Sequence, residues 1–302
     1  MSEVVFKTPP ELRAIQLKSL ELFEYFDVFC QEHGLLTYFC GGCCIGTLRH
    51  QGFIPWDDDI DVFMPRDDYE RLWELWAKEA DCSRYSLWRP TRDCVTGDLM
   101  MKLCDENTTL IKDYLRDRDI CHGLTLDILP LDGYPESGFA RKMQIIHCLL
   151  FSLFCAQTVP AKHGGIVAAG SRFLLSVFRG QGIRYRIWRR AEKRMSRYAI
   201  KDCDSITELC AGPHYMRNRY PASAFASAVR KPFEGYMAPI PVGYDEYLHI
   251  AFGDYMQLPP ASKQKPHHDA SFCDLETPYR LYRGVEYCVD TAGQRENPVA
   301  GC

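Results

Sequence analysis

Several things are missing from this sequence, and each absence excludes something. There is no basic excess: 36 lysines and arginines against 40 acids give a net charge of -4, so no nucleic-acid partner is expected. No internal repeat or low-complexity block is visible, and at 46% hydrophobic and 25% charged the chain is neither disordered nor fibrous in composition. The apolar runs Ile145 to Phe154 and Ile166 to Phe178 fall short of the about 20 residues that span a bilayer. Met1-Ser2-Glu3 opens no signal peptide, so a cytoplasmic location is expected. Cysteine is not scarce, but fifteen is an odd number scattered along a chain too large to need stapling, which predicts reduced thiols. Cys40-Gly41-Gly42-Cys43 looks like half a zinc site, yet no second Cys-x-x-Cys pair completes it; small packed residues beside a glycine turn are expected there.

What is present is acid in an unusual place. Asp57, Asp58, Asp59 and Asp61 fall within five residues, next to apolar Ile60, Val62, Phe63 and Met64. On a strand from Asp59 to Met64, alternate side chains share a face, so Asp59 and Asp61 are placed to grip one divalent ion while Ile60, Val62 and Met64 pack inward. Asp57 extends that set and Asp58 points the other way. This is the layout of metal-assisted phosphoryl transfer.

Around this cluster the pattern predicts mixed elements. Thr8-Pro9-Pro10-Glu11 resembles a capping box, and Leu12, Ile15, Leu22, Phe26 and Phe29 recur at helical spacing, so a helix is expected from about Pro9 to Glu32. Leu35 to Phe39 has strand character and feeds Gly41-Gly42; a short helix over Cys43 to His50 follows. After Pro65, Asp67 and Glu70 suggest the cap of a helix burying Tyr69, Leu72, Trp73 and Trp76. Further strands are expected at Leu99 to Cys104 and Gly123 to Leu129, the second with Leu124, Leu126 and Ile128 on one face and Asp127 on the other. The fold class is α+β (mixed α/β), a mixed sheet flanked by helices.

Residues 139–201 read as a helical insertion. Its end carries Arg184, Arg186, Arg189, Arg190, Lys193, Arg194, Arg197 and Lys201 against one acid, Glu192, with Trp188, Ala191, Met195 and Tyr198 on one side. Such a basic amphipathic helix either rests on an anionic inner membrane surface, guides a polyanionic acceptor, or packs its apolar side on the domain with its arginines solvated. The domain is expected to span 1–270, with a core at 34–134 and a C-terminal part at 205–270, and 271–302 is expected to be a peripheral polar tail.

A glycine pair after a strand lets backbone approach a phosphate, and the following helix start adds N–H donors. The order strand, Gly41-Gly42, helix, Asp-x-Asp strand and later strand with one acid resembles the core of DNA polymerase beta-like nucleotidyltransferases, with Asp127 as the third carboxylate. Gly46 to Val62, running Gly-Thr-Leu-Arg-His-Gln-Gly-Phe-Ile-Pro-Trp-Asp-Asp-Asp-Ile-Asp-Val, resembles the signature of the LicD family, the phosphocholine transferases related to fukutin-related protein. Pro65 to Tyr69, Lys102 before Asn107-Thr108-Thr109, Leu126 to Gly133, and the blocks Phe233 to Gly235, Gly243 to Leu248 and Gly253 to Met256 agree with it. The likeness covers roughly residues 11–268. Cys43-Cys44 departs from the family, which more often has a small hydroxyl residue and an apolar one there.

The resemblance implies transfer of phosphocholine, or a related phospho-alcohol or phospho-polyol, from a CDP-linked donor to a sugar hydroxyl of a cell-surface glycan precursor. It implies Asp59, Asp61 and Asp127 as catalytic residues, with Mg²⁺ or Mn²⁺ on these and Asp57. Gly41, Gly42, Arg49, His50 and Lys102 are candidate donor-phosphate contacts, or in the case of the three basic residues surface charges or a core histidine. A quaternary ammonium is best held by aromatic faces, for which Trp56, Trp88, Tyr134, Tyr236 and Tyr244 are candidates. His267-His268-Asp269 is not expected to bind metal, since adjacent side chains on extended backbone diverge. The competing readings are a nucleotidyltransferase moving NMP from an NTP and a catalytically silent nucleotide- or glycan-binding protein.

Overall fold

The computed structural model describes residues 8–158, 165–266 and 270–289. In chain order its elements are α1 (Pro10–Glu32), β1 (Tyr38–Phe39), α2 (Gly41–Arg49), β2 (Asp61–Pro65), α3 (Arg66–Glu79), β3 (Tyr85–Trp88), β4 (Met101–Asp105), β5 (Thr109–Lys112), β6 (Leu124–Gly133), α4 (Gly138–Ala156), α5 (Ile166–Val177), α6 (Gln181–Met195), β7 (Ser205–Glu208), β8 (Tyr220–Pro221), β9 (Ala228–Phe233), β10 (Tyr236–Pro241), α7 (Tyr244–Phe252) and β11 (Ala270–Asp274). This is an α+β fold.

The ten-residue β6 organises the main sheet, whose order is β1-β2-β6-β4-β3, with β7 also on β6 and β8 on β7. Parallel β2 pairs with its residues 127–131, while antiparallel β4 pairs with its residues 124–128 and β7 with its last three residues. Being covered on both sides, it buries Leu124, Leu126, Ile128, Leu129 and Leu131 almost completely.

Helix α1 lies on this sheet, burying the predicted Leu22, Phe26 and Phe29, and also Phe23, in one aromatic cluster with Tyr38, Phe39 and Trp76. The Trp76 indole N–H is satisfied by the Tyr85 carbonyl at 2.9 Å. Asp27, facing the same core, is neutralised by a forked Arg230 contact at 2.8 and 3.0 Å and by the Tyr236 hydroxyl at 2.6 Å, which pins α1 to the β9–β10 hairpin. The expected capping box does not form: Pro9 is the N-cap, and Thr8 Oγ1 donates to the Pro55 carbonyl instead. Nor do Asp67 and Glu70 cap α3, which starts at Arg66 after Pro65.

Arg66 donates two bonds to Asp132 on β6, at 2.8 and 2.7 Å, both residues being buried. Glu192, the sole acid of the basic helix, joins this network through Arg89 at 3.1 Å and Arg66 at 3.8 Å. These contacts bolt the insertion to the core. The apolar side of α6 (Trp188, Ala191, Met195) packs on Cys148, Phe151, Phe154 and Cys155 of α4. By length and composition the whole of α4, at 19 residues, is apolar enough to cross a membrane, although its apolar run alone is too short. Phe139, Ile146, Leu149, Phe173, Val177 and Ile183 of the insertion stay exposed.

Two further expectations fail. The segment after Ser271 is not peripheral up to Val289: β11 pairs with β5, and Tyr279 and Tyr287 are buried against Cys104 and Ile111. Composition misled because a few tyrosines, not a run of aliphatics, supply the contact. The thiols are not all reduced, since Cys104 of β4 is joined to Cys121 in a disulfide.

Candidate active site

The two halves of the site are aligned by strand pairing. Asp61 and Asp127 are register partners on parallel β2 and β6, and Lys102 on β4 is the partner of Asp127 on the other side. Lys102 Nζ lies 3.0 Å from Asp127 Oδ2 and 3.3 Å from Asp98 Oδ1. Backbone bonds from Cys40 N to Asp61 O (3.1 Å) and Asp127 N to Ile60 O (3.2 Å) tie the start of α2 and the start of β2 to the Asp127 level of β6.

Asp59 lies in the extended approach to β2 rather than on it, because the strand begins at Asp61. The chain turns at Pro55 and Trp56 just before it, and carboxylate oxygens of Asp57, Asp58 and Asp59 come within 4.8 Å of one another. The expectation that Asp58 points away is therefore corrected: strict alternation applies only to regular strand. Asp57 is held close by Gly42, where any Cβ would run into Asp57 Oδ2. Asp59 and Asp127 also line a small pocket with Asp58, Lys112 and Thr125.

Burial pushes the carboxyl of Asp61 well above its ordinary range, and the charges of Asp59, Asp127 and Asp57 add to this against the opposing Lys102. Burial does the same to Asp57, reinforced by Asp59 and Asp58 and by a side-chain hydrogen bond with Asp59. Carboxyls crowded in this way are stabilised by a cation. The donor set, all hard carboxylate oxygen, fits a divalent ion of the magnesium type.

Asp61 and Asp127 open onto a cavity of about 330 Å³, whose other lining residues include Gly41, Gly42, Phe63, Glu208, Tyr215, Tyr247 and Phe252. Gly41, at φ +49°, gives its N–H to the Tyr247 hydroxyl at 2.9 Å, so this donor is already engaged.

Other expected contacts do not converge here. Arg49 and His50 stand at the far end of α2, roughly 12 Å from its start at 1.5 Å per residue. Arg49 donates to the carbonyls of Tyr255 (2.9 Å) and Gln257 (3.3 Å) and to His50 Nε2 (3.0 Å), anchoring the C-terminal part. None of the aromatic candidates lines the cavity. Trp56 is a core residue, Tyr134 is covered by Arg141 and Arg219, Tyr236 holds Asp27, Tyr244 lies under Lys231, and Trp88 bonds Ser86. His267-His268-Asp269 lies outside the described residues.

Sequence reasoning missed Asp98, Glu208, Tyr215, Tyr247 and Phe252. Tyr247 was within a family-like block and could have been found there; Glu208 sits in no motif.

An α+β domain that brings carboxylates from two paired strands to a cavity opened by a glycine-started helix has the layout of a phosphotransferase. A sequence model described as LicD/FKTN/FKRP, nucleotidyltransferase domain, matches residues 34–101. The chain is 33% identical over 270 residues to the lipopolysaccharide cholinephosphotransferase LicD of Haemophilus influenzae, a match covering 85% of this chain and 96% of that protein. The chain belongs to the LicD family and is a phosphotransferase enzyme.

Proposed function

We propose that the protein transfers phosphocholine from a CDP-linked donor to a sugar hydroxyl of a cell-surface glycan precursor, such as that of lipopolysaccharide. The observation that carries this reading is the pairing of Asp61 with Asp127 at one level of the sheet, both facing the cavity beside Gly41-Gly42. The activity of the Haemophilus influenzae relative supplies the transferred group and the acceptor class.

In this reading Asp57, Asp59, Asp61 and Asp127 would hold Mg²⁺ or Mn²⁺, which when bound would supply charge neutralisation at the diphosphate and polarisation of its phosphorus–oxygen bonds. The acceptor hydroxyl oxygen attacks the distal phosphorus, the bond from that phosphorus to the CMP oxygen breaks, and CMP leaves. Asp127 takes the hydroxyl proton. Lys102, tied to Asp127 and Asp98, orients that carboxylate and sets a positive charge beside the reacting phosphate.

The test is CMP release from CDP-choline with a lipopolysaccharide acceptor, with and without EDTA. Metal-dependent CMP formation supports the reading. Pyrophosphate release from CTP, with no CMP from CDP-choline, would favour the nucleotidyltransferase alternative, and silence with both would favour a binding protein.

Peripheral contact with the inner, cytoplasmic membrane face belongs to the same reading, consistent with a lipid-linked acceptor. It is supported by exposed Phe173, Val177 and Ile183 standing among exposed Arg172, Arg179 and Arg186 at the α5–α6 turn.

A further inference from the structure

The wall of the cavity opposite the aspartates has a composition that the phosphoryl chemistry does not use. Glu208 closes β7 and is 4% exposed, yet it lines the cavity together with Phe63, Tyr215, Tyr247 and Phe252. The Phe252 ring lies 6.0 Å from that of Tyr215 and 6.4 Å from that of Tyr247, so three rings form one surface. Among the described residues the lining contains three carboxylates, Asp61, Asp127 and Glu208, and no lysine or arginine, the Lys102 that pairs with Asp127 at 3.0 Å lying outside it. Glu208 accepts hydrogen bonds from Tyr220 and Asn218 through the same oxygen, Oε1.

A buried carboxylate facing a cavity and rimmed by rings costs free energy unless a cation joins it. A cation that brings its own apolar surface suits this wall better than a hydrated metal or a polyol. Such a group meets ring faces and a negative charge together and needs no hydrogen bond from the rings. Glu208 is opposite Leu131, four residues along β6 from Asp127, about 13 Å of strand at 3.3 Å per residue. A phosphate held at the aspartates, a two-carbon chain and an ammonium head, with contact distances at both ends, cover a comparable length.

We propose that Glu208, Tyr215, Tyr247 and Phe252 form the subsite that receives the quaternary ammonium head of the transferred group, selecting it over neutral phospho-polyols. The proposal rests on the transferase reading for its donor, but its binding step is separable from turnover. It also replaces the aromatic candidates drawn from the sequence, which face elsewhere.

The experiment titrates the full chain, in Mg²⁺ buffer, with phosphocholine and with 3,3-dimethylbutyl phosphate, its uncharged isostere, by calorimetry. Wild type is expected to bind phosphocholine about tenfold tighter. Glu208→Gln, which keeps a hydrogen-bonding oxygen for Tyr220 and Asn218, and Phe252→Leu, at the partly exposed end of α7, should each bring that ratio toward one. Equal binding of the two phosphates by wild type, no binding of either, or an unchanged ratio in both variants overturns the subsite. If Glu208→Gln does not fold, Phe252→Leu decides.

A donor series separates this from the transferase reading. No CMP from any CDP-alcohol, with the binding ratio intact, sinks the transferase and keeps the subsite. Equal kcat/KM for CDP-choline and CDP-glycerol keeps the transferase and sinks the subsite.

Discussion

Asp61 and Asp127 face one another across the parallel pair β2–β6, and Lys102 flanks Asp127 on the opposite neighbour, β4. Three strands thus deliver two acids and one base to a single level of the sheet. The charge is unbalanced, because Asp57, Asp58 and Asp59 crowd the same end.

That imbalance separates catalysis from stability. Asp61→Asn is expected to lower CMP release at least about a hundredfold, the scale of losing one electrostatic contact to the transition state. Without divalent metal it should not lower the melting temperature, because burial and three neighbouring carboxylates all disfavour a charge on Asp61. Parallel turnover assays and thermal unfolding check both halves; a large fall in melting temperature would contradict the second.

Gly42 offers a sharper separation. Gly42→Ala puts a methyl where Asp57 Oδ2 now sits, so the acidic loop must move and turnover should fall by about tenfold or more. Elsewhere in a helix, glycine to alanine stabilises by about 1 kcal/mol. Activity should therefore drop while unfolding by urea shows little loss.

Stability should depend on pH through Glu208. Burial raises its carboxyl from 4.5 to about 7, with hydrogen bonds from Tyr220 and Asn218 opposing the shift. A raised folded value means the contribution is fully present below the unfolded value and is lost as pH rises through about 7. Urea midpoints from about pH 5 to about pH 8 should fall across that window in wild type, and less in Glu208→Gln.

Arg66 and Asp132 form a buried two-pronged pair. Arg66→Met strands Asp132 without its partner, and the expected loss is about 3–5 kcal/mol, the range for breaking one side of a buried pair. Denaturant unfolding measures it; a loss below about 1 kcal/mol would show that the pair does not anchor α3 to β6.

The membrane reading predicts sedimentation with phosphatidylglycerol vesicles, weakened by salt and by Phe173→Asp. Equal sedimentation with neutral vesicles would remove the electrostatic part.

Much of the scaffold was legible because it is local. The 3.6-residue apolar repeat located α1 to within one residue at its start, and alternation in Leu124, Leu126 and Ile128 showed which face of β6 is buried. Where pairing sets an element's limits, the sequence was less informative. Only Tyr38 and Phe39 of the run Leu35–Phe39 form a strand, because only they meet β2; β6 runs on to Gly133 because β7 arrives from beyond the insertion. Asp58 was misjudged for a related reason, since strand alternation was applied to a stretch that is not strand.

The sequence by itself determined the chemistry on offer: a dense run of aspartates, a glycine pair ahead of a helix, and a lone acid on a later strand. The first two are neighbours in the chain and the third sits in an alternating strand pattern, so local spacing is enough to read each of them. Tertiary structure decided which acids share a level, that Lys102 stands beside Asp127 while Arg49 turns away, and that Glu208 and three rings from residues 208–252 wall the cavity. Those positions are joined by strand register and core packing across many intervening residues, and no local periodicity carries that information.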